Sequence, residues 1–191
     1  SGNIASDYSG NDYNGTLING PTWTQGKVGG ALQFDGSNDY VSLPTAVLEN
    51  RHEKGTISLW LNSPNPGQAS MLFSGARSNT LTRYYVRLYP DYSGLTTTLG
   101  NPAYTFPGTA IQPNTWHSAT VVWRNSTSDA SFYVDGQLVS NNTSNYGQSS
   151  SLDYVNLGTH NGVSSHYTGL IDEVRVYDRA LNANEVTQLY H

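Results

Sequence analysis

Short runs of alternating apolar and polar residues recur from one end of the chain to the other, and Gly, Asn, Pro or Asp separates each run from the next. In the run 55–62, for example, Ile57, Leu59 and Leu61 fall on one face and the residues between them on the other. Alternation with period two indicates half-buried β-strands, and many short strands with frequent turns indicate a sandwich. The sequence therefore predicts an all-β fold whose strands turn their aliphatic faces inward.

Composition limits the classes of protein to which this chain can belong. Its 191 residues suit one domain with a sizeable core, and plentiful Gly and Tyr with only 12% charged residues favour strands and turns. A formal charge of −5 without a cluster of Lys or Arg argues against nucleic acid as a partner. The chain has no Cys, so neither a disulfide nor a thiolate site can form.

The location of the protein cannot be read directly from these residues. No apolar stretch is long enough to span a membrane, which argues against membrane insertion. The first residues lack the basic and apolar regions of a signal peptide. Because the chain opens with Ser1 and Gly2 and not with Met, we interpret residues 1–191 as a single monomeric domain excised from a longer polypeptide.

Local motifs predict individual elements. Asp135 and Gly136 stand between two alternating runs, and Asp-Gly favours the positive φ angles of a two-residue hairpin turn. Near the C-terminus, Asn182 and Glu185 have the spacing of a capping box, which predicts one short helix. The Ser- and Asn-rich stretch 140–151 is typical of an exposed loop.

The segment 7–15, DYSGNDYNG, is rich in oxygen-bearing side chains before any apolar run has begun. Asp7, Ser9 and Asn11 alternate as the first ligands of a helix-loop-helix calcium site do. That motif also requires a Gly at its sixth place and a Glu at its twelfth, and this chain has other residues there. A cation at this segment would therefore need oxygen ligands from elsewhere in the chain.

One candidate ligand is Asp172, in the run LIDEVRVYD. If Val174 and Val176 point into the core, alternation puts Asp172 on the same inward face. A buried carboxylate is costly unless it is paired, hydrogen-bonded or bound to a metal, and no Lys or Arg is obviously placed to meet it. Two interpretations stay open: a cation ligand at the rim of the sandwich, or an acceptor of backbone N–H bonds, with a pair of Asx turns at 7–15.

Three stretches, in this order, resemble the laminin-G-like, concanavalin A-like jelly-roll family of bacterial secreted proteins. They are DYSGNDYNGTL, GKVGGALQFDGSNDYVSLP and GLIDEVRVYDRALNANEV, and WHSATVVW with YVDGQLV resembles the family's Trp strand and hairpin. The resemblance implies two antiparallel sheets packed face to face, an extracellular or cell-surface location and, commonly, one structural calcium ion. Carried over by position, it implies these calcium ligands: Asp7, Asn11, a backbone carbonyl near Gly36, and Asp172.

Jelly-roll sandwiches include enzymes, so the fold does not decide the function. The chain lacks the Glu-x-Asp-x-x-Glu strand of the retaining glycosidases of this architecture. Asp172 and Glu173 are adjacent, so alternation sends their side chains to opposite faces of the strand. The Gln-x-His and Glu-Leu-Arg strands of the lyases are also not intact. Although His117, His160 and His166 leave a lyase open as an alternative, His117 fits a core histidine with satisfied hydrogen bonds.

The strongest candidate for recognition is the run 82–90, TRYYVRLYP. Alternation puts four large, hydrogen-bonding side chains on one face, namely Arg83, Tyr85, Arg87 and Tyr89. Rings and guanidinium groups in a row suit the C–H faces, hydroxyls and carboxylates of a sugar. We predict that Trp60 extends this face from a neighbouring strand and that Arg77 lies at its edge. The alternative is a solvated row of cross-strand pairs.

A second candidate surface is the loop THNGVSSHYTG, which contains His160, Asn161 and Tyr167; the alternative there is a plain polar loop. From both surfaces we predict a non-catalytic carbohydrate-binding module that targets a polysaccharide. The two Arg residues of 82–90 favour an acidic or sulfated glycan. The competing hypothesis is an adhesive or structural spacer domain of a surface protein. A polysaccharide lyase or glycoside hydrolase has less support.

Overall fold

The computed structural model describes the chain except for residues 1, 50, 52, 78–82, 90–93, 100–103, 128 and 144–150, and at 83–89, 94, 104 and 107–108 it describes only the backbone. In this part of the chain, no helix is long and apolar enough to cross a membrane. The elements, in chain order, are β1 (Ile4–Ala5), β2 (Gly15–Ile18), β3 (Thr22–Gln25), β4 (Gly30–Asp35), β5 (Tyr40–Leu43), α1 (Ala46–Glu49), β6 (Lys54–Asn62), β7 (Ser70–Ala76), β8 (Arg83–Tyr89), β9 (Gly94–Leu99), β10 (Tyr104–Ala110), β11 (Trp116–Arg124), β12 (Asp129–Val134), β13 (Gln137–Asn142), β14 (Tyr154–Leu157), β15 (Thr168–Tyr177) and α2 (Ala183–Tyr190).

The strands form two antiparallel sheets. One has eight strands in the order β1-β2-β5-β14-β7-β8-β9-β10, and the other has seven in the order β13-β12-β11-β6-β15-β4-β3. Many neighbours in the sheets are far apart in the sequence, so both sheets are held together by long-range pairing. The predicted all-β, two-sheet antiparallel fold is confirmed.

The main core lies between the two sheets. Ile57, Leu59 and Leu61 of β6 are fully buried there, as alternation in 55–62 predicts. A second, smaller cluster lies on the other face of the seven-stranded sheet, where Val186 of α2 and Leu181 meet the sheet. The helix therefore covers an outward face of that sheet.

The predicted local motifs are confirmed. Asp135 and Gly136 have φ angles of 52° and 71° in the turn between β12 and β13. The backbone N–H of Glu185 donates to Asn182 Oδ1 at 3.0 Å, and the N–H of Asn182 donates to Glu185 Oε2 at 2.8 Å, which completes the capping box of α2. The predicted loop 140–151 begins later than expected, because β13 continues to 142, and 144–150 lie outside the described residues.

Candidate functional site

The expectation that Asp172 faces the core is wrong, because a β-bulge interrupts β15. Asp172 pairs with Trp60 of β6, but the next pair is Arg175 with Ser58, so one extra residue stands on β15. Within the bulge Glu173 has a φ of 49°, in the left-handed region. Paired residues in an antiparallel sheet share a face, so Asp172 shares the outward face of Trp60.

Asp172 is nevertheless buried, at 5% exposure, and its carboxylate is satisfied by backbone donors. The N–H of Val28 donates to Oδ2 at 2.9 Å, and the N–H of Glu173 donates to Oδ1 at 2.7 Å. Gly26 makes room for this contact, since a Cβ there would lie 2.4 Å from Asp172 Oδ2. Of the two interpretations left open by the sequence, the structure shows the acceptor of backbone N–H bonds.

The segment 7–15 closes on itself around Asp7. Asp7 Oδ1 accepts the N–H of Ser9 at 2.9 Å, while Oδ2 accepts the Ser9 hydroxyl at 2.7 Å and the N–H of Tyr13 at 3.0 Å. These bonds, the Ser9 hydroxyl first among them, hold the pKa of Asp7 below its ordinary value. Asn11 donates from Nδ2 to Ser9 Oγ at 2.9 Å. The segment is an Asx-turn loop with internal hydrogen bonds.

This geometry does not fit the calcium ligands implied by the resemblance: Asp7, Asn11, Gly36 and Asp172. Both carboxylates are engaged by backbone N–H groups, and no group of three or more His, Asp or Glu side chains among the described residues could hold a metal ion. Gly36 allows the backbone to pass close to Thr168, because a Cβ at this position would lie 1.9 Å from Thr168 Oγ1. The calcium site stays a prediction without support from these donors.

The run 82–90 does form a strand, β8, which lies between β7 and β9. Its side chains lie outside the described part of the structure, so the predicted face stays a prediction for Arg83, Tyr85, Arg87 and Tyr89. The backbone register places Tyr85 opposite Ser74 of β7 and Thr98 of β9. Arg77 directly follows β7, and its Nε is buried without a hydrogen-bond partner among the described residues.

The prediction that Trp60 extends the face of β8 is wrong. Trp60 lies on β6 in the seven-stranded sheet, whereas β8 belongs to the eight-stranded sheet. Alternation does turn Trp60 away from the core, but α2 covers it. Its ring stacks on Tyr190 with centroids 5.4 Å apart, Lys27 Nζ lies 4.5 Å from its centroid, and only 6% of the residue is exposed.

A row of polar residues crosses the face of the eight-stranded sheet that is turned away from the core. The strand register pairs each member with the next, in the order Thr16, Ser42, Asn156, Ser74, Tyr85, Thr98, Thr105. The adjacent positions Val41, Leu157 and Phe73 belong to the core between the sheets. Period-two alternation therefore puts the polar row on the opposite face.

Two tyrosines lie on the same outward face, two residues away from members of this row. Tyr40 precedes Ser42 on β5, and Tyr154 precedes Asn156 on β14; both tyrosines are half-buried. The ring of His160 meets the ring of Tyr154 edge-on at 6.1 Å. We call this surface the outer polar face and define it by Tyr40, Ser42, Tyr154 and His160, which are half-buried, together with Asn156 and Ser74, which lie buried beneath them.

The loop 158–166 is attached to the outer polar face. The Ser74 hydroxyl donates to the carbonyl of Thr159 at 2.7 Å, and the N–H of Met71 donates to the carbonyl of Ser165 at 2.9 Å. A Cβ on Gly162 would lie 3.3 Å from the ring of Tyr40. Because Ser74 is also the register partner of Tyr85, the loop lies next to the strand β8 in the eight-stranded sheet.

The predicted site residues in and next to this loop differ in their exposure. Asn161 is exposed, at a φ of 55°, and His160 lies at the border of the outer polar face. Tyr167 is fully buried, and its ring packs edge-on against Phe34 at 6.1 Å, so the prediction that it binds ligand is wrong. Burial raises the pKa of Tyr167 far above its ordinary value. Its role is to fill the core beneath the loop.

His117 is the satisfied histidine that the sequence predicts. Its Nδ1 lies 2.7 Å from Asp135 Oδ2, and its Nε2 accepts the N–H of Gln112 at 3.1 Å. An Nε2 that accepts a backbone N–H requires the proton on Nδ1, which then donates to Asp135. Both ring nitrogens are therefore occupied, and the imidazole has no free nitrogen with which to take a proton from a substrate.

Sequence reasoning missed four aromatic residues near the surface. Alternation within their strands is the sequence signal for Tyr40 and Tyr154, but only the long-range pairing of β5 with β14 makes them neighbours on one face. Tyr8 and Trp23 stand in polar stretches, and they are 97% and 47% exposed. Trp23 lines a cleft of about 660 Å³ between the sheets and a second of about 670 Å³.

A family model, Laminin_G_3, described as the concanavalin A-like lectin/glucanases superfamily, matches residues 35–187. No curated protein matches the chain. Solved structures match the chain over most of its length. The binding domain of botulinum neurotoxin serotype G has a TM-score of 0.77 at 18% identity, over 97% of this chain and 47% of that one.

Domain 4 of an extracellular arabinanase from Geobacillus stearothermophilus, solved with arabinotriose, has a TM-score of 0.73 at 21% identity, over 96% of this chain and 91% of that one. A Trypanosoma rangeli sialidase has a TM-score of 0.73 at 15% identity, over 100% of this chain and 31% of that one. The chain thus spans less than half of the neurotoxin and sialidase chains. At these identities the likeness shows the fold, and the predicted jelly-roll sandwich is confirmed.

Proposed function

Because the chain belongs to the concanavalin A-like lectin/glucanases superfamily, we propose that it is a non-catalytic module that binds a polysaccharide through the outer polar face. The observation that carries this proposal is the outward face of the eight-stranded sheet, where the exposed or half-buried hydroxyls of Thr16, Ser42 and Thr105 share a face with the half-buried rings of Tyr40 and Tyr154, beside His160. Asn156, Ser74 and Thr98 of the same row are buried, at 4%, 0% and 3% exposure, so they support this surface and do not meet a sugar themselves.

The chemistry of this surface matches that of sugars. Hydroxyl side chains such as those of Thr16 and Ser42 both donate and accept hydrogen bonds, as sugar hydroxyls do. Aromatic rings offer apolar faces to the C–H groups of a pyranose or furanose ring. Arg83 and Arg87, predicted to face the same side, would add a preference for an acidic or sulfated glycan. The arabinanase domain solved with arabinotriose is a related fold that holds a sugar.

The absence of catalysis rests on the ionisable groups that are described. Asp172 and Asp7 are engaged by backbone donors, and His117 is occupied at both ring nitrogens. The sialidase shows that the fold also occurs within an enzyme chain, so the argument depends on these groups and not on the architecture. The arabinanase is extracellular, which supports an extracellular or cell-surface location for this module.

Binding is the first expected result. In a glycan array followed by calorimetry, we expect the wild type to bind at least one polysaccharide with a Kd on the order of micromolar to millimolar, because sugars offer few apolar atoms. Tyr154→Ala and Tyr85→Ala should each weaken binding roughly tenfold or more, since each removes an aromatic anchor. Gln188→Ala, an exposed change on α2, is the control and should bind as the wild type does.

The outcomes of this experiment separate the hypotheses. Wild-type affinity in both tyrosine variants would remove the site from the outer polar face. No binding to any glycan would overturn the proposed function and favour the adhesive or structural spacer domain.

Catalysis is the second test. Prolonged incubation with neutral, acidic and sulfated polysaccharides should release neither reducing ends nor unsaturated uronic ends, because His117 is occupied at both ring nitrogens and the carboxylate strand of the glycosidases is missing from the sequence. Reducing-sugar assay and absorbance of unsaturated products are the measurements. Turnover that His160→Ala abolishes would contradict the non-catalytic assignment.

A further inference from the structure

Trp23 is an exposed indole at the edge of the sandwich. It lies on β3, the edge strand of the seven-stranded sheet, and 47% of the residue is exposed. Trp60 and Trp123 are buried, and Trp116 is half-buried. The outer polar face belongs to the other sheet, so Trp23 is not part of that surface.

Two clefts meet at this indole. The first, of about 660 Å³, opens between the sheets and is bordered by the segment 7–15 on one side and by β15 on the other. The second, of about 670 Å³, is bordered by Gly2 and Asn3 before β1 and by residues 17–22, which lead from the end of β2 to the start of β3. Both volumes fall within the range of small-molecule sites, about 300–1,000 Å³.

Polar groups border the indole in both clefts. Asn3, Asn19 and Thr22 line the second cleft, whereas Asp7 and Asn11 line the first. Tyr8 also lines the first cleft and is 97% exposed. An exposed ring with amides and hydroxyls around it offers both kinds of contact that a sugar makes: C–H packing and hydrogen bonds.

The charged side chains that line the first cleft indicate which class of sugar it can bind. Glu173 is paired with Arg175, and the guanidinium of Arg51 donates to the carbonyls of α1. Within the described part of the chain, Asp7 and Asp172 form no ion pair. Arg51 keeps its positive charge, so the three carboxylates and two guanidinium groups that line this cleft leave one negative charge in excess, which disfavours an anionic ligand and suits neutral sugars.

We propose that Trp23 is the stacking platform of a second glycan site, at the sandwich edge, which takes neutral sugar rings and is separate from the outer polar face. The inference rests on the proposed function, because it assumes that the module binds glycans. In this site the indole face meets the C–H groups of one sugar ring, while the amides of Asn3, Asn19 and Asn11 bind hydroxyls of that ring or its neighbours.

A competing role for Trp23 is to close the edge of the sandwich. Its register partner is Leu32, a core residue, so part of the ring covers apolar surface. A residue that only closes the edge would affect stability and not affinity. The test therefore measures both quantities.

The probes are arabinotriose, maltotriose and cellotriose, with trigalacturonic acid as the acidic counterpart. In ¹⁵N-labelled protein, the indole N–H signal of Trp23 is assigned by its loss in Trp23→Phe. We expect at least one neutral trisaccharide to shift this signal, and trigalacturonic acid to leave it unmoved. Trp23→Ala should weaken binding of that trisaccharide roughly tenfold, Trp23→Phe should retain most of it, and melting temperatures should change little.

The control variant is Leu138→Ala, which removes an exposed apolar side chain from β13 at the opposite edge of the same sheet. It should leave both affinity and the indole signal unchanged. If the wild type binds glycans through Tyr154 but no neutral trisaccharide moves the Trp23 signal, the second site is overturned and the proposed function stands. If Trp23→Ala loses affinity only in proportion to its unfolded fraction, Trp23 closes the edge and the inference fails. If no glycan binds at all, both fail together.

Discussion

Asp172→Ala should lower the free energy of unfolding by about 2–6 kcal/mol, since it removes two hydrogen bonds to a buried carboxylate, those from the N–H groups of Val28 and Glu173, at about 1–3 kcal/mol each. Glu173 also loses the bond that holds its left-handed conformation. For a domain of this size, at about 2–4 °C per kcal/mol, the melting temperature should fall by roughly 4–24 °C. Urea unfolding and calorimetry give the two quantities.

The matched control is Asp178→Ala, which removes an exposed carboxylate just beyond the same strand. It should stay within about 0.5 kcal/mol of the wild type. Because the N–H donors satisfy Asp172 without a metal, we expect a calcium chelator to leave the melting temperature of the wild type unchanged. A chelator that destabilises the wild type but not Asp172→Ala would restore the calcium site and contradict the backbone role.

The error over Asp172 shows where alternation stops being informative. Period-two reasoning correctly predicts the inward residues of β6, because that strand is regular over its whole length. In β15 one inserted residue shifts the phase, and the bulge is formed by Glu173, a residue type that rarely takes a positive φ. The sequence predicts the burial of Asp172 and its need for partners, but the bulge decides which face it occupies.

The error over Trp60 has a different cause. The sequence predicts both the outward position of Trp60 and the helix α2, but no local signal says that the helix docks on that face. No local sequence signal predicts the outer polar face either, since Ser42 and Asn156 become neighbours only through the long-range pairing of β5 and β14. Family resemblance supplies the architecture, whereas the site depends on contacts between distant segments.

Gly158→Ala should damage both the fold and the outer polar face. Gly158 has a φ of 81°, and its N–H and carbonyl bond to Leu72 and Tyr167 at the two ends of the site loop. A Cβ there would lie 2.7 Å from the buried ring of Phe34. Left-handed strain of about 1–2 kcal/mol adds to overpacking of about 1–3 kcal/mol, so the expected loss is about 2–5 kcal/mol.

Gly158→Ala should also displace the outer polar face, because the carbonyl of Thr159, the next residue, accepts the Ser74 hydroxyl there. At a temperature where Gly158→Ala is still folded, calorimetry should show its glycan affinity reduced by roughly tenfold or more. Gly29→Ala isolates the backbone strain, because Gly29 has a φ of 68° and no atom within 4 Å of its added Cβ. It should cost about 1–2 kcal/mol and keep its affinity. If Gly158→Ala and Gly29→Ala unfold at the same urea concentration, the ring of Phe34 moves aside and the predicted overpacking is wrong. If Gly158→Ala also binds glycan with wild-type affinity, the loop does not shape the glycan site.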